Sequence, residues 1–119
     1  MVTIKAYTDL EQSKKLAEIL PLESADMYID CTNPYYIHTE LKHIEHFDSE
    51  HYPCWSLAAL LNIINNNYYT SLYHDGVAWN IEVTHHDNVK DKHSVYAGTP
   101  IDTCYEMILK LNELKLLQL

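Results

Sequence analysis

The sequence contains no arginine, and all eight of its basic residues are lysines. Against them stand 17 aspartates and glutamates, which give the chain a formal net charge of −9 at pH 7. Proteins that bind DNA or RNA rely on a basic surface and on arginine forks to phosphates and guanine edges. The composition therefore argues against direct nucleic-acid binding, and it also excludes arginine fingers.

Long apolar runs are missing as well, since no stretch approaches the roughly 20 residues that span a bilayer. The first ten residues lack the basic start and apolar run of a secretory signal. Cysteine is scarce, and Cys31, Cys54 and Cys104 form no C-x-x-C pair of a redox or zinc motif. We therefore expect a soluble cytoplasmic protein with free thiols, no membrane association and no cofactor.

Glycine is the third scarce residue, with Gly76 and Gly98 as the two in a chain of 119 residues. No internal repeat or flexible linker divides the sequence, and its length suits one domain with its own core. We predict a single α+β domain over residues 1–119, in which an antiparallel meander of about three strands packs against two to three helices.

The first helical pattern begins near the N-terminus. Thr8 is the predicted N-cap, with Glu11 reaching back to complete a capping box, and the helix runs to about Leu20, where Pro21 stops it. The following segment, 22–52, fits both strands and a helical stripe, with 27–31 and 35–41 as candidate short strands. We predict mixed structure there.

Two more helices are predicted further along the chain. The second opens at Pro53 as its first residue and is so apolar that we expect it to be the buried central helix. After a third strand at 94–97, Thr99 and Pro100 cap a last helix that runs to about Leu117. Its apolar side chains span roughly 220°, wider than one packing surface needs. We expect two neighbours for this helix, with another subunit as one candidate.

The plainest pattern is a β-hairpin. Two strand-like runs, 68–74 and 77–86, flank Asp75 and Gly76, which are typical of a two-residue type I′ turn. Such a turn pairs the residues that we expect to face the core as follows: His74 with Val77, Leu72 with Trp79, Thr70 with Ile81 and Tyr68 with Val83. Tyr69 and Tyr73 then lie on the opposite face.

Cys54 is the candidate nucleophile. At the start of the second helix its thiolate would be favoured by the helix dipole. A Cys-Trp pair that opens a helix before an antiparallel sheet resembles papain-like cysteine peptidases and related amidases, and this resemblance implies a histidine partner. The candidates for that base and its orienting residue are His85, His86, His93, Asn80 and Asp87. We favour the alternative, an unreactive thiol packed near Trp55, because buried free cysteine is usually inert.

Histidines and carboxylates are concentrated at His38, Glu40, His43, Glu45, His46, Asp48 and His51. Such ligands suit zinc, and His43 and His46 could share a helical face. No H-E-x-x-H order is present, so a solvated polar stretch explains the cluster equally well. Metal binding and a solvated polar stretch are also the two explanations for His85, His86 and His93. For these histidines we prefer a polar loop at the end of the hairpin.

Tyrosine is abundant, with ten residues against one phenylalanine. Tyrosine suits surfaces that are wet in the free protein and buried in a complex, although it is also common in strands. We take Tyr69 and Tyr73 of the hairpin, with Leu109 and Leu116 of the last helix, as candidate partner-binding residues.

Three strings of the sequence resemble a known family when taken together. They are residues 11–16 with 24–27, residues 53–61, and Thr99-Pro100 at the start of the closing helix. In order and spacing they resemble small uncharacterised proteins encoded by phages and prophages of gut Bacteroidetes. The resemblance implies a phage or mobile-element origin, a location in the cytoplasm of a bacterial host cell, and no established activity.

These observations favour a small phage-type accessory protein that is not an enzyme and that binds a host or phage protein or itself. The competing class is a hydrolase that uses Cys54 and a downstream histidine. A third class, an acidic mimic of nucleic acid, has the net charge in its favour, but the carboxylates are scattered along the chain.

Overall fold

The computed structural model describes residues 5–30, 37–38 and 51–117. Its elements in chain order are α1 (Leu10–Ala17), a 3₁₀ turn (Leu22–Ser24), β1 (Met27–Asp30), β2 (Ile37–His38), β3 (His51–Cys54), α2 (Leu57–Asn65), β4 (Tyr68–His74), β5 (Trp79–His85), β6 (Lys92–Ala97) and α3 (Pro100–Glu113). The strands form two antiparallel sheets, with the orders β2-β1-β3 and β4-β5-β6. The predicted α+β class, with a three-stranded meander against helices, is confirmed.

The cap of α1 lies one residue later than predicted. Asp9 is the N-cap: its carboxylate accepts from the Gln12 N–H at 2.8 Å, and the Gln12 side chain accepts from the Asp9 N–H at 3.1 Å. Thr8 is instead buried, and its hydroxyl accepts from the Trp55 N–H at 3.1 Å. The predicted Thr8 cap was wrong because this hydroxyl serves a contact between distant parts of the chain.

The segment predicted as mixed contains the centre of the first sheet. The strand expected at 27–31 is confirmed as β1, which pairs with both β2 and β3. β3 was not predicted as a strand. It lies at an edge of the sheet, and Pro53 is tolerated in it because an edge strand does not need every backbone N–H as a donor.

The start of the second helix was predicted too early. Pro53 lies in β3 opposite Tyr28, and α2 begins at Leu57. Ser56 is the N-cap, because its Oγ accepts from the Ala59 N–H at 3.2 Å. The expectation of a buried central helix is confirmed, since this helix places Leu60, Ile63 and Ile64 in the core.

The hairpin forms with a longer turn than predicted. The Asp75 carboxylate accepts from the N–H groups of Val77 and Ala78, at 2.8 and 2.9 Å, and this organises residues 75–78 as the loop. Gly76 adopts a φ of 97°, which glycine tolerates. The observed pairs are therefore shifted by two residues from the predicted ones: His74 with Trp79, Leu72 with Ile81, Thr70 with Val83 and Tyr68 with His85. A shift of two leaves the side chains of the paired strands on their predicted faces. Val77, which was predicted to face the core opposite His74, lies instead in the loop and is 91% exposed, and His74 at the end of β4 is exposed as well.

The meander and the last helix close the core. β6 pairs antiparallel with β5, as predicted, and Thr99 caps α3 by accepting from the Asp102 N–H at 3.0 Å. α3 packs against α2 and against β5 and β6 of the same chain. It ends at Glu113, a few residues before the predicted Leu117. Within the described ranges, no helix has the length and apolar character needed to cross a bilayer.

Candidate functional site

Cys54 lies in an environment that suppresses thiol chemistry. It ends β3 and does not open a helix, so the predicted support from a helix dipole was wrong. The residue is fully buried, and burial, with a smaller contribution from the Asp26 charge, raises the pKa of its thiol to about 12. Because the thiolate is the nucleophile, almost none is present at neutral pH. No histidine of the described chain hydrogen bonds to this sulfur.

The histidines considered as bases lie in or next to β5 and β6 of the second sheet, where each contacts a neighbouring side chain. The His85 ring stands edge-on to the Tyr68 ring, with 5.2 Å between centroids, and the His86 ring lies 4.4 Å from that of Tyr69. His93 Nε2 lies 2.6 Å from an Asp91 carboxylate oxygen. Each imidazole therefore has a local partner.

Asp91 links two of these side chains. Its second oxygen accepts a hydrogen bond from the Tyr68 hydroxyl at 3.0 Å, while the first lies beside His93. Burial and then this hydrogen bond raise the pKa of Tyr68 to about 12. The Tyr68–Asp91–His93 contact was not predicted. It joins β4 to the loop before β6, and no local sequence motif indicates that these segments meet.

The predicted metal candidates, His43 and His46, lie outside the described residues. Within the part of the chain that the structure covers, no three His, Cys, Asp or Glu side chains are grouped so that they could hold a metal ion.

The outer face of the second sheet carries the predicted tyrosines. We define the outer face as the solvent-directed residues of the meander: Tyr69, Ser71, Tyr73, Asn80, Glu82, Thr84, Lys92, Ser94 and Tyr96. Tyr69 is 68% exposed, Tyr73 40% and Tyr96 74%. The prediction that Tyr69 and Tyr73 face outward is confirmed. Tyr96 was overlooked, although strand alternation with the predicted third strand would have placed it there.

The outer face has little charge for a chain with a net charge of −9. Its charged residues are Glu82 and Lys92, which lie on neighbouring strands. Tyr73 donates a hydrogen bond to Glu82 at 3.3 Å, and desolvation followed by the Glu82 charge raises the pKa of this phenol. A shallow groove of about 330 Å³ runs beside them, lined by Glu82, Val83, Thr84, Lys92, His93 and Ser94.

The leucines predicted on the last helix lie in different settings. Leu109 is half-buried, and Leu116 is half-buried against the core. The wide apolar arc of α3 is explained by α2 on one side and the second sheet on the other. The arc therefore gives no indication of a second subunit.

Comparisons with known protein families, with curated proteins and with solved structures find no match to this chain.

Proposed function

We propose that the protein is a non-enzymatic binding module that associates with another protein through the outer face of its second sheet. The observation that carries this proposal is the exposure of Tyr69, Tyr73 and Tyr96 on one sheet surface. Among the described residues, no helix or strand covers that surface.

The chemistry of the outer face suits a protein partner. Tyrosine offers a rigid apolar ring and one polar atom, so it loses little conformational freedom when it is buried in a complex. Interface centres are depleted in charge and enriched in aromatic residues, as this surface is. The strands that hold the tyrosines are fixed by the core beneath them, which reduces the ordering cost of binding.

The partner that we propose is a host or phage protein with an uncharged contact surface. The acidic, arginine-free composition disfavours nucleic acid as the ligand. A phage origin is part of this proposal, and it rests on the three sequence strings alone. The buried thiol of Cys54 gives the hydrolase alternative no support.

Site-specific photo-crosslinking tests the proposal. A photoreactive amino acid is placed at Tyr96, and the matched control carries it at Val89, which is 70% exposed in the loop between β5 and β6. After irradiation in a bacterial lysate, we expect the position 96 variant to form a discrete adduct with one protein, identified by mass spectrometry. The purified partner should then bind wild type and lose affinity for Tyr96→Ser. Equal adduct patterns at both positions would contradict the proposal.

A further inference from the structure

The two edges of the second sheet differ in their backbone chemistry. In an antiparallel pair, alternate residues direct their N–H and C=O groups toward the neighbouring strand and away from it. The Asp75 N–H donates to the Ala78 carbonyl at 3.1 Å, and this bond fixes the alternation along β4. The residues of β4 whose backbone groups point away from β5 are therefore Tyr68, Thr70, Leu72 and His74.

The β6 edge is occupied. Along this strand the outward carbonyl of Ser94 accepts a hydrogen bond from the Lys110 ammonium at 3.3 Å. α3, which carries that lysine, packs along β6. A lysine and a covering helix are two of the devices by which proteins protect a sheet edge.

The β4 edge has no such protection within the described chain. No described strand pairs with its outer side, and no backbone group elsewhere in the described chain hydrogen bonds to the outward groups of these four residues. Its seven residues, Tyr-Tyr-Thr-Ser-Leu-Tyr-His, include no proline, lysine or carboxylate. They are also rich in strand-forming types, so this edge is a template for another strand.

We propose that β4 pairs antiparallel with β4 of a second copy of this chain, which joins the two meanders into one six-stranded sheet. The inference goes beyond the partner binding proposed above and does not depend on it. Its occupant is indicated by the strand itself, because a twofold axis at Ser71 sets Tyr69 opposite Tyr73 and brings no charged side chain of β4 into the contact.

The symmetric register uses the whole edge. With the twofold axis at Ser71, Tyr68 pairs with the partner's His74, and Thr70 pairs with the partner's Leu72. These are the residues whose backbone groups face outward, so each of the four pairs exchanges two hydrogen bonds, about eight in all. A twofold axis at Thr70 or Leu72 brings only three of the four into register and forms fewer bonds.

The side chains agree with the same register. On the outer face, Tyr69 stands directly opposite the partner's Tyr73, and the same pair recurs across the axis. Cross-strand aromatic pairs stabilise antiparallel sheets. At the axis, where side chains approach most closely, the residue is the small Ser71. Although each chain carries a net charge of −9, the paired strands bring no like charges together.

Cysteine cross-linking tests the register. In a Cys31→Ser background, Ser71→Cys places two thiols across the axis in a non-hydrogen-bonded pair, whose Cα separation of roughly 4.5 Å permits a disulfide. The matched control is Ser94→Cys, because Ser94 is also exposed on the outer face but lies on β6. The native Cys54 and Cys104 are fully buried. With oxidised glutathione as the oxidant, we expect a covalent dimer from Ser71→Cys and monomer from the control.

Introducing a charge at the axis of the contact provides the second test. Ser71→Lys sets two like charges opposite each other across the axis, and we expect the dissociation constant of the dimer to rise more than about tenfold. Sedimentation velocity from micromolar to near-millimolar concentration measures it, with Ser94→Lys as the control and circular dichroism to verify folding. A wild-type chain that stays monomeric throughout, or equal cross-linking of both cysteine variants, would overturn the proposal.

The two proposals fail separately. Tyr96 lies on β6, at the opposite edge of the sheet from the proposed β4 contact, so photo-crosslinking at position 96 and sedimentation can both be measured with Ser71 unchanged. An adduct at position 96, together with a wild-type chain that stays monomeric in sedimentation, would support the binding module and refute the dimer. A dimer without an adduct would do the reverse.

Discussion

The two faces of the second sheet come from the same three strands, yet one is buried in the core and the other is exposed to solvent. On the inner face, Ile81 and Val83 are at most 1% exposed and belong to the hydrophobic core, where α3 packs against β5. On the outer face, the large aromatic side chains of Tyr69 and Tyr96 are 68% and 74% exposed. The difference shows where the chain has placed aromatic surface that its own core does not use.

This contrast makes the outer face informative. Single exposed apolar residues are common on any protein and need no explanation. Here three exposed tyrosines share one face of a three-stranded sheet, Tyr69 and Tyr73 on β4 and Tyr96 on β6, with little charge on that face. Exposed aromatic surface concentrated in this way marks interaction sites. The contrast can be tested by making matched changes on the two sides of the sheet.

Thiol accessibility should give the largest difference between buried and outward positions. Burial raises the pKa of Cys104 to about 12, and the residue is fully enclosed. In a Cys31→Ser background, we expect a cysteine introduced as Tyr96→Cys to react with iodoacetamide at least about a thousandfold faster than Cys104, which waits for the fold to open. Mass spectrometry of labelled peptides measures both rates. Equal rates in the native protein, but not in denaturant, would contradict the assignment of the two faces.

Truncation of neighbouring side chains should separate the faces by several kcal/mol. Ile81→Ala removes fully buried atoms from the inner face, and we expect it to lower the free energy of unfolding by about 2–5 kcal/mol. Glu82→Ala, one residue along and on the outer face, should change it by less than about 0.5 kcal/mol. Urea denaturation followed by circular dichroism measures both variants. Similar losses for the two would show that the faces are not as different as described.

The faces were predictable from the sequence because strand alternation has a period of two. The hairpin register was wrong by two residues, since the Asp75 carboxylate organises a four-residue loop where Asp75 and Gly76 predict a two-residue turn. An error of two moves no side chain across the sheet, so Tyr69 and Tyr73 were placed correctly. An odd error would have reversed the entire assignment.

The environment of Cys54 was not predictable, because it depends on pairing between distant segments. Pro53 before a cysteine and an apolar run is typical of a helix start. In the folded chain Pro53 and Cys54 pair with β1, and the N-cap of α2 is Ser56. No local pattern reports a strand partner about 25 residues away, so the cysteine was assigned to a helix terminus that does not exist.

The turn should give the hairpin a pH-dependent contribution to stability. The N–H groups of Ala78 and Val77, with the Asn80 side chain, lower the pKa of Asp75 from 3.8 to about 2. A carboxyl whose pKa is lower in the folded state stabilises the fold above its unfolded value, and that stabilisation is lost as the pH falls toward 2. Asp75→Asn keeps the acceptor oxygen and should abolish this dependence, whereas Asp75→Ala should also destabilise the hairpin. Thermal unfolding at pH 5 and near pH 2 compares them, and a wild-type Asp75 that titrates at its ordinary value by NMR would refute the account.

The smallest effect on stability is expected at Tyr96, and that small size is what the binding proposal requires. Because three-quarters of this side chain faces solvent, Tyr96→Ser should change the free energy of unfolding by less than about 0.5 kcal/mol, measured by urea denaturation. A loss comparable to that of Ile81→Ala would mean that the ring packs against another part of its own chain. The outer face would then already be covered, and the tyrosines would have a structural role within the fold in place of a partner.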